Sequence, residues 1–247
     1  MRWFLLVFFI SILIPFSAYA WTSRTYQIIV VQSTKLMPSS FQRIVKSHKE
    51  EILRGSLKPD DLDESAHQYD LSTRSGFLQD RILELTKIIP EKIHDHKPFK
   101  EIVEDYGRLA HYISDLNDPL ILKDSDPKES QYRKDFAIYT EKNIDKYPWI
   151  FDGHEDPLLS SNDLREYIYQ MALRASSKYS RLGEAYFPDG KLVSSDTFDA
   201  RSLPFGIASL SYSHSISNTV QIWFYTWKQA HGDITYTPLY KHNGVPK

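Results

Sequence analysis

From Pro98 to Leu116 the residues Phe99, Ile102, Val103, Tyr106, Leu109, Ala110 and Ile113 recur at spacings of three and four, which is one face of an α-helix. Proline suits the first turn of such a helix, and Asn117, Asp118 and Pro119 stop it. The same period returns behind Ser39-Ser40, where Phe41, Ile44, Val45, Ile52 and Leu53 form a stripe closed by Gly55. It returns again over 77–93, near 130–145, over 161–182 and over 205–230. Pro, Gly, Asp and Ser mark 119–128, 147–160 and 186–204 as connecting loops. The one alternating stretch, Ile28 to Val31, fits a helix equally well. The expectation is a compact multi-helix, all-α single domain. At 247 residues, 41% hydrophobic and 14% aromatic, the chain can bury one sizeable core without demanding a second.

The first twenty residues read as an address. Arg2 precedes an apolar run from Trp3 to Phe16, and Ser17-Ala18-Tyr19-Ala20 supplies small residues for cleavage. The run is shorter than the roughly 20 residues that span a bilayer. Residues 1–20 are therefore expected to be a signal peptide, and residues 21–247 an exported domain, periplasmic or secreted, that begins at Trp21.

A formal charge of −2 gives no overall basic surface and so no argument for duplex nucleic acid. The absence of cysteine excludes disulfides, thiolate-held metals and a thiol nucleophile. There is no glycine-rich phosphate loop, G-x-S-x-G elbow or HExxH.

Two clusters carry chemistry. His111 and Asp115 stand four residues apart on the 99–116 helix, so both leave one face among Leu109, Ala110, Ile113 and Leu116. In an apolar setting such a pair must be hydrogen-bonded or hold a metal. The second cluster surrounds His67, with acids at 60, 61, 63, 64 and 70. Imidazole and carboxylate donors of this kind suit zinc. Elsewhere His94 and His96 read as a solvated helix end, His48 as a surface position, His214 as packed near the core, and His231 and His242 as part of a polar tail.

The run Leu109-Ala110-His111-Tyr112-Ile113-Ser114-Asp115-Leu116-Asn117-Asp118-Pro119-Leu120 resembles the LHYLGDxxQPLH helix of zinc-dependent phospholipases C and S1/P1 nucleases. Gly55 to Asp60 followed by His67 resembles that family's GxxxPD…H segment, and Trp21 matches its N-terminal tryptophan. The resemblance implies the all-α fold of that family and up to three zinc ions. Asp60, His67, His111 and Asp115 would hold one ion. Asp115 would bridge to a second, held by the free amino group and carbonyl of Trp21. The family's usual partner for that second ion is a His five residues after the tryptophan, where this chain has Tyr26. A phenol is a poor zinc ligand unless activated. For the third ion Ile121 stands where a His is expected. Arg133 and Ala137, or Asp135 and Tyr139, replace the His-x3-Glu pair. His154 with Glu155 could stand in for those missing ligands.

In that family several zinc ions neutralise a phosphodiester and convert a bound water to the attacking hydroxide. The resemblance therefore implies a phospholipase C-like phosphodiesterase, with Asp60 as proton acceptor and Asp61 as its alternative. Its substrate would be a phospholipid or another phosphodiester. Trp149, Ile150, Phe151 and Phe187 could form a rim against a membrane surface, or simply anchor loops. A degenerate homologue that keeps one structural ion, and a nuclease using Arg24, Arg74 or Arg108 at the phosphate, are the alternatives. Oligomeric state is not addressed by the sequence.

Overall fold

A computed structural model describes residues 21–57, 67–120 and 127–240. The structure is all helix apart from one isolated bridge between Asp70 and Ser75, among the described residues. The elements are α1 (Ser23–Leu36), α2 (Ser39–Ser47), α3 (Lys49–Leu57), α4 (Phe77–His94), α5 (Phe99–Leu116), α6 (Glu129–Asn143), α7 (Pro157–Ser160), α8 (Leu164–Ser176), α9 (Tyr179–Tyr186) and α10 (Leu203–Gln229). They pack around one core.

α5 lies at the centre, touching α1, α3, α4, α8 and α10. Its C-terminal half is buried on every side, so the polar groups it carries there cannot reach solvent. α10 is buried around most of its circumference and supplies Ile216, Val220, Ile222 and Trp223 to the core. The Trp223 indole N–H donates to the Tyr106 carbonyl at 3.1 Å, tying α10 to α5.

α3 packs closely on α5, and two glycines permit it. A Cβ on Gly55 would fall 2.1 Å from the Glu104 carbonyl oxygen, and one on Gly107 would fall 2.2 Å from that of Ile52. The stripe expected over 39–55 accordingly resolves differently. The helix breaks at His48 (φ −131°, ψ 40°), and α3 continues through Gly55 to Leu57. Gly55 is a packing residue, not a helix stop. The expected 161–182 helix also divides, at Ser177 and Lys178. It starts at 164 because the Asp163 carboxylate accepts from the Glu166 N–H at 3.1 Å. Ile28 to Val31 lie within α1.

One loop is held to the core in an unusual way. Ser209, Ser213 and Ser217 stand at four-residue spacing on α10 and face the backbone of 148–152. Ser209 donates to the Pro148 carbonyl at 3.0 Å. Ser213 accepts from the Ile150 N–H at 3.4 Å. Ser217 accepts from the Asp152 N–H at 3.2 Å and donates to the Ile150 carbonyl, also at 3.2 Å. An extended segment is thus laid along a helix with its main chain satisfied by hydroxyls. No helix among the described residues is long and apolar enough to cross a membrane.

Candidate metal centre

α5 delivers two groups to the centre of the molecule because positions 111 and 115 share its buried face. His111 is 1% exposed, Asp115 0% and His67 5%. One ligand atom from each lies within 4.8 Å of the other two. Among the described residues this is the one group of three or more potential metal ligands that converges so closely. His67 Nδ1 lies 2.6 Å from Asp115 Oδ2, and His111 Nε2 lies 3.3 Å from the same oxygen. Burial pushes the Asp115 carboxyl upward, but His111 and His67 beside it outweigh that and hold it below the usual carboxylate range.

The orientation of His111 is set by a neighbouring helix end. Its Nδ1 lies 2.8 Å from the Ser56 carbonyl, one of the last carbonyls of α3, which have no partner within the helix. A carbonyl only accepts, so Nδ1 carries a proton and donates to it, which leaves Nε2 facing Asp115. Metal-ligating histidines are typically fixed by this kind of partner on the other ring nitrogen.

Tyr26 closes the far side of Asp115. Its hydroxyl donates to Asp115 Oδ1, and its ring stacks on His111 at 4.2 Å and 18°. Burial, followed by the charge of Asp115, raises the phenol well above its ordinary range, so it stays protonated and donates. The same hydroxyl accepts from the Trp21 main-chain nitrogen at 3.4 Å. The Trp21 indole is 2% exposed and donates to the Ser114 carbonyl at 2.9 Å.

The structure therefore brings His67, His111 and Asp115 together, with Trp21 one hydrogen bond behind Tyr26. Asp60, Asp61 and Ile121 lie outside the described residues. Two imidazoles and a carboxylate, with the proton of His111 on the far nitrogen, are a donor set that fits zinc. The further positions named from sequence do other work. Arg133 pairs with Glu129 and with the Leu120 carbonyl. Asp135 accepts from the Ser195 N–H at 2.8 Å and the Tyr186 hydroxyl at 3.1 Å. His154 donates to the Leu36 carbonyl at 2.7 Å and packs against Phe151, Phe224 and Tyr240, while Glu155 pairs with Lys228.

Sequence reasoning passed over two contributors. Ser56 acts only through its main-chain oxygen, which no residue pattern signals. Asp118, read as part of a helix stop, is fully buried. Its Oδ1 accepts from the Leu120 N–H at 2.9 Å and its Oδ2 has no hydrogen-bond partner among the described residues. Burial pushes this carboxyl up to about 7, opposed by Arg133.

No protein-family model matches the chain, and no curated protein matches it. Among solved structures, alpha-toxin from an avian strain of Clostridium perfringens superposes with a TM-score of 0.65 at 15% identity, covering 85% of this chain and 64% of that one. Alpha-toxin from Clostridium absonum gives a TM-score of 0.64 at 14% identity, covering 86% of this chain and 67% of that one. The protein thus has an alpha-toxin-like all-helical fold and spans roughly two thirds of the length of these structures.

Proposed function

We propose that this protein is an exported, zinc-dependent phosphodiesterase of the phospholipase C type, acting on a phospholipid or a related phosphodiester. The observation that carries this reading is the buried convergence of His67, His111 and Asp115 on an alpha-toxin-like fold. His67 Nδ1 lies at hydrogen-bond distance from the Asp115 carboxylate where a cation would sit, so loading the site through that nitrogen would release its proton and acid would oppose it. Ser56 keeps His111 in the ligating tautomer, and Tyr26 orients Asp115. A bound zinc would stabilise the phosphate oxygens as a Lewis acid and acidify a water toward neutrality. The acidic stretch carrying Asp60 would supply the fourth ligand and the proton acceptor, as the sequence resemblance implies.

Elemental mass spectrometry of the protein beginning at Trp21, beside a His111→Ala, Asp115→Asn variant, tests this. About one zinc per chain is expected, lost in the variant, together with metal-dependent hydrolysis of a phosphatidylcholine substrate. A ratio near zero would sink it. A second reading is favoured by Tyr26, whose hydroxyl stands between Asp115 and the Trp21 nitrogen. In that reading the single ion is a structural staple, and zinc binds without hydrolysis.

A further inference from the structure

We propose that the groove between α1, α2 and α3 binds the acyl chain and carboxylate of one fatty acid. Its floor is apolar. Val30, Val45 and Ile52 are buried there, with Val31 and Leu53 partly exposed beside them. The cavity holds about 510 Å³, within the roughly 300–1,000 Å³ of small-molecule sites. Its rim carries Lys35, Arg43, Lys46 and Lys49, and among the described residues no carboxylate lines it.

The helical period produces this separation of charge. Lys49, Ile52 and Leu53 share one face of α3, whereas Glu50 and Glu51 act on Arg54. Asp233 acts on Arg43, which leaves the ammonium groups to define the rim. The Lys35 ammonium donates only to a neutral amide, Gln32, at 3.1 Å. Cations gathered over an apolar floor repel one another until an anion joins them.

A fatty acid satisfies both halves at once. Its chain covers the valine and isoleucine floor, and its carboxylate sits among flexible ammonium groups that hold it by charge. A neutral lipid leaves the rim uncompensated, and a polyanion leaves the floor bare.

The test is calorimetric titration of the purified protein, with chelator present so that the metal centre plays no part. Dodecanoate below its micellar concentration is compared with dodecanol. The variants are Lys46→Glu/Lys49→Glu and Val31→Asp, all at exposed positions, with helicity checked by circular dichroism. One dodecanoate per chain is expected. Affinity should fall at least tenfold for dodecanol and at least tenfold for each variant, and should weaken with salt. The proposal is overturned by no binding, by equal affinity for dodecanol, or by variants that bind as the wild type does. Binding to phosphatidylglycerol vesicles without binding of the monomer would also overturn it, and would make the face a membrane contact.

Discussion

At the scale of single residues the centre turns on Tyr26. Placed five residues after Trp21, it puts a neutral donor against Asp115 where the sequence resemblance expects an imidazole ligand. A Tyr26→His substitution should raise the zinc content of the protein beginning at Trp21 by about one ion per chain, read by elemental analysis. Tyr26→Phe should leave zinc content unchanged and lower stability by about 1–3 kcal/mol, because the buried Asp115 loses a donor; urea denaturation measures that. The sequence shows that position 26 departs from the expected pattern. It does not show that the phenol turns to Asp115 and stacks on His111, because those contacts depend on how α1 lies across α5. The His111–Asp115 pair was legible because four-residue spacing on a helix fixes a shared face regardless of tertiary context. Ser56 was not, since any residue offers the same carbonyl.

Between elements, the approach of α3 to α5 decides whether His111 finds that carbonyl. Gly55→Ala would drive a methyl into the Glu104 backbone, which no side-chain rotation relieves. A loss of about 2–4 kcal/mol is expected from thermal or urea unfolding, with zinc content falling as Ser56 withdraws. Gly107→Ala should behave alike from the opposite helix. The helix at 77–93 is readable from its apolar period alone, and those at 99–116 and 205–230 also carry proline or a capping serine at their starts. The break at His48 was not, since Ile44, Val45, Ile52 and Leu53 stay in phase across it. Gly55 misled for a related reason. A glycine that ends a helix and one that lets two helices touch look identical in one dimension.

For the molecule as a whole, acid should act through the contact between α10 and the α8–α9 junction. Burial, with Lys178 and Arg174 nearby, pushes His214 down to about 4, and burial with the charge of Arg174 pushes Lys178 down to about 8. The unfolded chain therefore binds the His214 proton first. That contribution to stability is full above about 6.5 and is lost as pH falls toward about 4. Melting temperatures of wild type and His214→Gln across this window should diverge, with the variant declining less steeply. The serines at 209, 213 and 217 have a different reach. They hold 148–152 through its main-chain atoms, so these hydroxyls recognise the segment without reading its side chains. Trp149 and Ile150, 38% and 70% exposed, are displayed, while Phe151 between them and His154 packs against the core. Positions 149 and 150 can change their chemical character by drift or by design while the path stays fixed, a ready graft point on an otherwise committed scaffold.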